Sequence, residues 1–160
     1  MDARVTDWNM VERQVREFVQ GETRWLPALS NVSALLAETL ADVNWVGFYV
    51  ADALLAPGGS ATELVLGPFQ GKVACVRIPW GRGVCGTAAE RDQTLRVDNV
   101  HNFPGHIACD SASRSEIVVP LHADGRVIGV LDVDSPCLAR FCEEDQRGLE
   151  ACAAVLEALW

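Results

Sequence analysis

The sequence predicts an α+β fold, a central antiparallel sheet of about six strands with N- and C-terminal helices packed on one face. Three observations carry that expectation. Apolar residues recur at helical spacing at both ends of the chain, the middle is a series of short β-branched and aromatic segments, and those segments are joined mostly by hairpin-like turns.

Residues 5–20 place Val5, Trp8, Met10, Val11, Val15, Phe18 and Val19 at roughly helical spacing, and Gly21 and Glu22 end the run. Residues 24–42 predict a second helix with Leu29, Val32, Leu35, Leu36 and Leu40 as its buried stripe. Strands are expected at 44–50 (NWVGFYV) and 63–69 (ELVLGPF), separated by ADALLAPGGSAT, which carries Pro57, Gly58 and Gly59 and is longer than a tight hairpin needs. A third strand is expected at 74–79, followed by a glycine-led helical patch, then a strand at 94–100. Residues 101–115 hold too many breakers for regular structure, and such loops carry function disproportionately. EIVVPLHADGRVIGVLDVDS reads as a hairpin turning at Ala123, Asp124 and Gly125. The last helix, within 141–160, puts Leu149, Cys152, Leu156 and Leu159 on one face and acidic residues in its first turn, where the helix dipole favours them. The expected organisation is one domain over 1–160: helices in 1–43, sheet and active-site loops in 44–135, and a closing helix in 141–160.

Composition limits the partners. A chain of 160 residues that is 49% hydrophobic buries most of its apolar surface as one domain, and a second domain has little room. The net charge of -9, with no basic block, argues against nucleic acid and anionic membranes. The first twenty residues mix charges with apolar groups, unlike a signal peptide, and no apolar run approaches membrane-spanning length, so a soluble cytoplasmic protein is expected. In that setting the six cysteines are not a structural disulfide framework.

Sorted one at a time, Cys152 reads as a core residue on the last helix, Cys142 as that helix's N-cap, and Cys137 as an incidental turn residue. Cys75, Cys85 and Cys109 differ, because each lies at a strand edge or in a glycine-rich or polar loop. Their intervals match neither a zinc ribbon nor a C-x-x-C motif, and although His101 and His106 approach Cys109 in sequence, no close ligand pair exists. No metal and no cofactor are expected. Asp132 and Asp134 are two apart in a strand, which puts them on one face with Val130 and Ile128, and the hairpin brings Glu116 near the same end. Three converging acids repel one another unless a cation such as a ligand ammonium sits between them, or one is protonated and donates. The strand's emergence into solvent accounts for the pair of aspartates equally well.

Four stretches, NWVGFYV, LVLGPFQGKVACVRIPWGRGVCGTAAERDQTLRVDNV, FPGHIACDSASRSEIVVPL and VIGVLDVDSP, together resemble the free methionine-(R)-sulfoxide reductases, a family built on a single GAF domain. The resemblance spans roughly residues 44–152 and is long and ordered. It implies a GAF fold and reduction of the R epimer of free methionine sulfoxide, with thioredoxin as reductant and a homodimeric assembly. It implies Cys109 as the nucleophile that becomes a sulfenic acid, Cys75 as the resolving thiol and Cys85 as a second recycling thiol. It further implies Glu116 and Asp134 on the sulfoxide oxygen, Asp132 on the substrate ammonium, and Trp45 as an aromatic wall for the S-methyl group. A core aromatic on a strand is the competing reading of Trp45. Backbone amides of residues 110–115 are candidates for the substrate carboxylate. Two features depart from the family pattern: the long 51–62 loop, and Cys137, Cys142 and Cys152.

Two readings from other classes compete: a GAF module that binds a small ligand without turnover, and a thiol redox sensor in which Cys109 and Cys75 oxidise directly. Stereospecific consumption of methionine sulfoxide separates the enzyme from both.

Overall fold

A computed structural model describes residues 5–106 and 110–160; Cys109, the expected nucleophile, lies outside the described residues. The expected α+β architecture is present. Helices α1 (Trp8–Val19) and α2 (Trp25–Thr39) lead into strands β1 (Trp45–Ala51), β2 (Glu63–Gln70) and β3 (Arg77–Pro79). Helix α3 (Gly83–Arg91) precedes β4 (Leu95–Val97), β5 (Ser115–Ala123) and β6 (Arg126–Ser135), and α4 (Glu143–Leu156) closes the chain before a final 3-10 turn. All neighbouring strands are antiparallel, in the order β3-β2-β1-β6-β5-β4.

That order positions everything that follows. From β3 at one edge the chain runs through α3 to β4 at the other edge, so α3 packs over one face of the sheet. The opposite face is covered by α1, α2 and α4, whose Val11, Val15, Leu29, Val32, Leu36, Leu149, Cys152 and Leu156 are fully buried with Phe48, Ile117, Leu131 and Val133 from the strands. Both sheet faces are therefore covered, which explains why β1 is buried along its whole length rather than alternating. Helix α4 starts with the Cys142 amide donating to Asp145 Oδ2 at 3.0 Å, and the buried Asp145 carboxylate also pairs with buried Arg140 at 2.9 Å. On α4, Gly148 leaves room for the Trp8 indole of α1; a Cβ there would overlap the ring.

Several expectations are corrected. Val5 and Met10 are solvent-exposed and take no part in the α1 stripe. Strand β3 covers Arg77–Pro79 only, not 74–79, because the backbone carbonyls of Lys72 and Cys75 turn inward to accept hydrogen bonds from Trp45 Nε1 (3.1 Å) and Tyr49 Oη (3.0 Å). Strand 94–100 likewise shortens to Leu95–Val97, with a 3-10 turn at Val100–Asn102. Ile128 does not share a face with Val130 and the aspartates. It is the extra residue of a β-bulge, since Leu121 pairs with Gly129 while His122 pairs with Val127, and the bulge turns its side chain into the core beneath the helices.

The 51–62 loop is ordered: a 3-10 turn at Asp52–Leu54 is tied down by the Ser60 amide donating to Asp52 Oδ2, and Arg77 bridges Asp52 and Glu63. It leaves β1 at the end opposite Trp45, about 20 Å away along the strand.

Candidate active site

The bulge at Ile128 also sets the chemistry. A tight turn at Asp124 and Gly125, both left-handed, pairs Ala123 with Arg126; continued without interruption that register would set Glu116 opposite Val133, on the face away from Asp134. The extra residue shifts the pairing by one. Glu116 now lies opposite Asp134, and Asp134 opposite Trp45 on β1, forming a row of three side chains across the central strands. One row further along, Asp132 sits between Val118 and Gly47, and beyond it Val130 faces Tyr49. These side chains share the face that α3 covers.

Three carboxylates thus converge: Glu116 and Asp132 are buried, 6% and 5% exposed, and Asp134 is half-buried. Burial, then the charges of Asp132 and Asp134, hold Glu116 well above the usual carboxylate range. Asp134 is raised in the same way, by burial and then by Asp132 and Asp110, and burial raises Asp132 to about 6. Asp132 Oδ1 has no hydrogen-bond partner among the described residues. At neutral pH the trio therefore holds at least one proton to give and one lone acceptor to offer a cation.

Aromatic rings form one wall. Trp45 stacks on Phe69 (centroids 5.2 Å apart) and on Tyr49 (6.0 Å). Gly47 lies between Trp45 and Tyr49 on the same face, and a Cβ there would overlap both the Trp45 ring and Phe69. Trp45 is thus both a packed strand residue and part of the cavity lining, so its two readings are compatible.

From the covering layer, Cys85 in the first turn of α3 places its Sγ 3.9 Å from Glu116 Oε1. Burial, then Asp132 and Glu116, push this thiol well up, so burial among acids outweighs the thiolate-favouring helix N-terminus. His106 Nε2 approaches Glu116 Oε2 at 3.8 Å, and burial followed by His101 lowers its pKa, keeping the ring neutral. Cys75 is disulfide-bonded, whereas Cys85, Cys137, Cys142 and Cys152 are free. Cys152 sits in the core, with burial pushing its thiol up to about 12.

The segment that follows Cys109 in sequence is fastened to β1. Asn44 Nδ2 donates to Asp110 Oδ2 (3.0 Å) and to Ser113 Oγ (3.1 Å), and the Ala112 amide donates to Asp110 Oδ1 (2.8 Å). The Ala112 amide, Asn44 and Lys72 hold Asp110 below the usual carboxylate range despite its burial. This narrows the expectation for the 110–115 amides: those of Ala112, Ser113 and Arg114 are spent on Asp110 Oδ1, the Asp110 carbonyl and the Ser135 carbonyl. Arg114 is exposed.

Trp45, Tyr49, Cys85, His106, Asp110, Ser113, Glu116, Asp132 and Asp134 all line one cavity of about 30 Å³. A family model described as the GAF domain matches residues 26–159. A free methionine-R-sulfoxide reductase of Escherichia coli is 53% identical over 147 residues, covering 92% of this chain and 84% of its own. The chain belongs to the free methionine-R-sulfoxide reductase family. A Saccharomyces cerevisiae protein of the same name is 45% identical over 85% of this chain and 76% of its own. Among solved structures, the free methionine-R-sulfoxide reductase of Neisseria meningitidis in complex with its substrate superposes with a TM-score of 0.87 at 49% identity, covering 95% of this chain and 87% of that one.

Of the residues expected from the sequence, the structure brings Trp45, Cys85, Glu116, Asp132 and Asp134 into the lining of one cavity, and the Cys75 carbonyl accepts from Tyr49 of that lining. Tyr49, Asn44, Asp110 and Ser113 were not among the expected site residues. Tyr49 was readable: alternation along NWVGFYV puts Trp45, Gly47 and Tyr49 on one face. Asn44 and Asp110 are joined only by tertiary contact and leave no local signal.

Proposed function

We propose that this protein reduces the R epimer of free L-methionine sulfoxide to methionine. The observation that carries the reading is the row of Glu116, Asp134 and Trp45 across the central strands, with buried Asp132 beside it. A free amino acid bearing a sulfoxide presents an ammonium, a polar S–O bond and an S-methyl group. Asp132 Oδ1, without a partner among the described residues, suits the ammonium, the protonated acids Glu116 and Asp134 suit the sulfoxide oxygen, and the Trp45 face suits the methyl.

In the reaction, Cys109 as thiolate attacks the sulfoxide sulfur while an acid, Glu116 first in line, protonates the oxygen. The S–O bond breaks as the oxygen passes to the cysteine sulfur; methionine leaves and Cys109 becomes a sulfenic acid. The Cys75 thiol then condenses with that sulfenic acid, releasing water and forming a disulfide. A dithiol reductant of the thioredoxin type restores both thiols, taking the disulfide's oxidation onto itself. The disulfide-bonded state of Cys75 supports its role as the resolving thiol. Cys85 is the second recycling thiol, although its burial among acids keeps it in the less nucleophilic thiol form. The reading extends to a single domain over the whole chain, a homodimer and a cytoplasmic location; no helix among the described residues is long and apolar enough to cross a membrane.

The test incubates wild type and Cys109→Ser with racemic free methionine sulfoxide and a thioredoxin recycling system. Loss of only the R epimer with wild type, and of neither with the variant, is expected. Ligand binding with no turnover by either protein would replace the enzyme with a ligand-binding sensor.

A further inference from the structure

The donor set around Asp132 matches a cation other than an ammonium. Cys85, Glu116 and Asp132 each offer one atom, one sulfur and two carboxylate oxygens, and these three atoms lie within 4.8 Å of one another. All three residues are more than nine-tenths buried and line the same cavity. Asp132 Oδ1, buried and without a partner among the described residues, is the independent sign that a cationic group belongs there.

Ideal geometry can be compared with what is present. With Zn–S near 2.3 Å and Zn–O near 2.1 Å, two tetrahedral ligands of a zinc ion stand about 3.6 Å apart for a sulfur–oxygen pair. The Cys85 Sγ to Glu116 Oε1 separation of 3.9 Å is within a few tenths of that, and the Asp132 oxygen lies within 4.8 Å of both atoms. Magnesium and calcium fit poorly, since both require six or more oxygens and avoid sulfur, whereas a thiolate with two carboxylates and one open position suits zinc or cadmium.

We propose that Cys85, Glu116 and Asp132 form a three-ligand site for a thiophilic divalent cation, with zinc as the ion, and that its occupation excludes the amino-acid substrate. As the ion binds, the Cys85 S–H proton and any carboxyl protons pass to solvent, and the bonds formed are one Zn–S and two Zn–O. The metal site stands on this donor set alone; the exclusion of substrate rests on the reading of Asp132 as the ammonium partner.

The protein is tested with Cys75 in its disulfide, as in this structure, so that the thiols at issue are Cys85 and the free thiols Cys137, Cys142 and Cys152. Zinc is titrated in competition with a chromophoric chelator, without sulfoxide. One zinc ion per chain is expected, bound at least about tenfold more weakly by Cys85→Ser and, separately, by Asp132→Asn, and with unchanged affinity by Cys137→Ser and Cys142→Ser. Absence of binding, indifference to either cavity substitution, or loss of binding in a Cys137 or Cys142 variant would overturn the site. Adding the R epimer of free methionine sulfoxide should then raise the apparent zinc Kd. Zinc binding that sulfoxide does not weaken would uphold the metal site and count against Asp132 as the ammonium partner, which separates the two failures.

Discussion

Glu116→Gln isolates the proton transfer. Glu116 is an acid that burial and two neighbouring carboxylates hold in the protonated form, and glutamine keeps its shape and a donor N–H but no transferable proton. A positioned general acid contributes about 10²–10⁴-fold, so loss of proton donation raises the barrier by about 3–5 kcal/mol. Asp134 sits directly opposite and is also raised, so it can substitute in part; this places the expected loss near the lower end, about 10²-fold. Stability moves the other way or not at all, because the change removes one of three closely packed acids. The assay is a single turnover: reduced enzyme in excess over the R sulfoxide, quenched and read as methionine formed, with urea unfolding in parallel. A single-turnover rate within threefold of wild type, in a protein of unchanged stability, would refute Glu116 as proton donor. A loss matched by a fall in stability would attribute the effect to the fold.

Other predictions follow from single contacts. Tyr49→Phe removes the hydrogen bond to the Cys75 carbonyl without changing ring packing, so disulfide formation should slow about fivefold or more while the first methionine forms at the wild-type rate; rapid-quench and thiol-counting traces separate the steps. Gly148→Ala should gain about 1 kcal/mol of helix propensity yet lose more by overlapping Trp8, giving net destabilisation of about 1–2 kcal/mol in urea; a more stable variant would mean α1 moves freely on α4. His122 sits between Asp92 (2.6 Å) and Glu157 (2.8 Å); burial lowers its pKa, but those two carboxylates outweigh it and the net shift is upward. Its contribution to stability is therefore full below its unfolded pKa of about 6.5 and fades as pH rises through the higher folded value. The difference in urea midpoint between wild type and His122→Gln should be largest near about pH 5.5 and shrink by about pH 8.5, and a difference independent of pH would contradict the ion pairs. Deleting Ile128 takes out only the extra residue and leaves Glu116 opposite Asp134, so turnover should persist in a protein destabilised by the lost core side chain; a stably folded deletion variant without turnover would contradict the assigned register.

The fold was legible where chain-local physics decides it. Leu29, Val32 and Leu36 fall on one helical stripe, Asp124 and Gly125 allow the left-handed turn, and acidic residues mark the start of α4. The site was legible where periodicity decides it: Asp132 and Asp134 share a face because they are two apart in a strand. What periodicity could not give is the register between strands. The turn at Asp124–Gly125 taken alone pairs Glu116 with Val133, and Ile128 reads as an ordinary apolar strand residue although it is the bulge that brings the acids together. The early end of β3 was hidden for a similar reason, because Trp45 and Tyr49 compete from another strand for the carbonyls of Lys72 and Cys75. Cys85 was visible as a loop-edge thiol, but its burial against Glu116 and Asp132 depends on α3 crossing from one sheet edge to the other.

The measurement that bears most directly on the central claim is trapping of the sulfenic acid. Cys75→Ser, reduced and treated with one equivalent of the R sulfoxide in the presence of a carbon nucleophile selective for sulfenic acids, should release one methionine per chain and carry the label on Cys109 by peptide mass spectrometry. Methionine formed with the label on Cys85, or a label on Cys109 with no methionine released, would contradict the assignment of Cys109 as the atom that takes the oxygen.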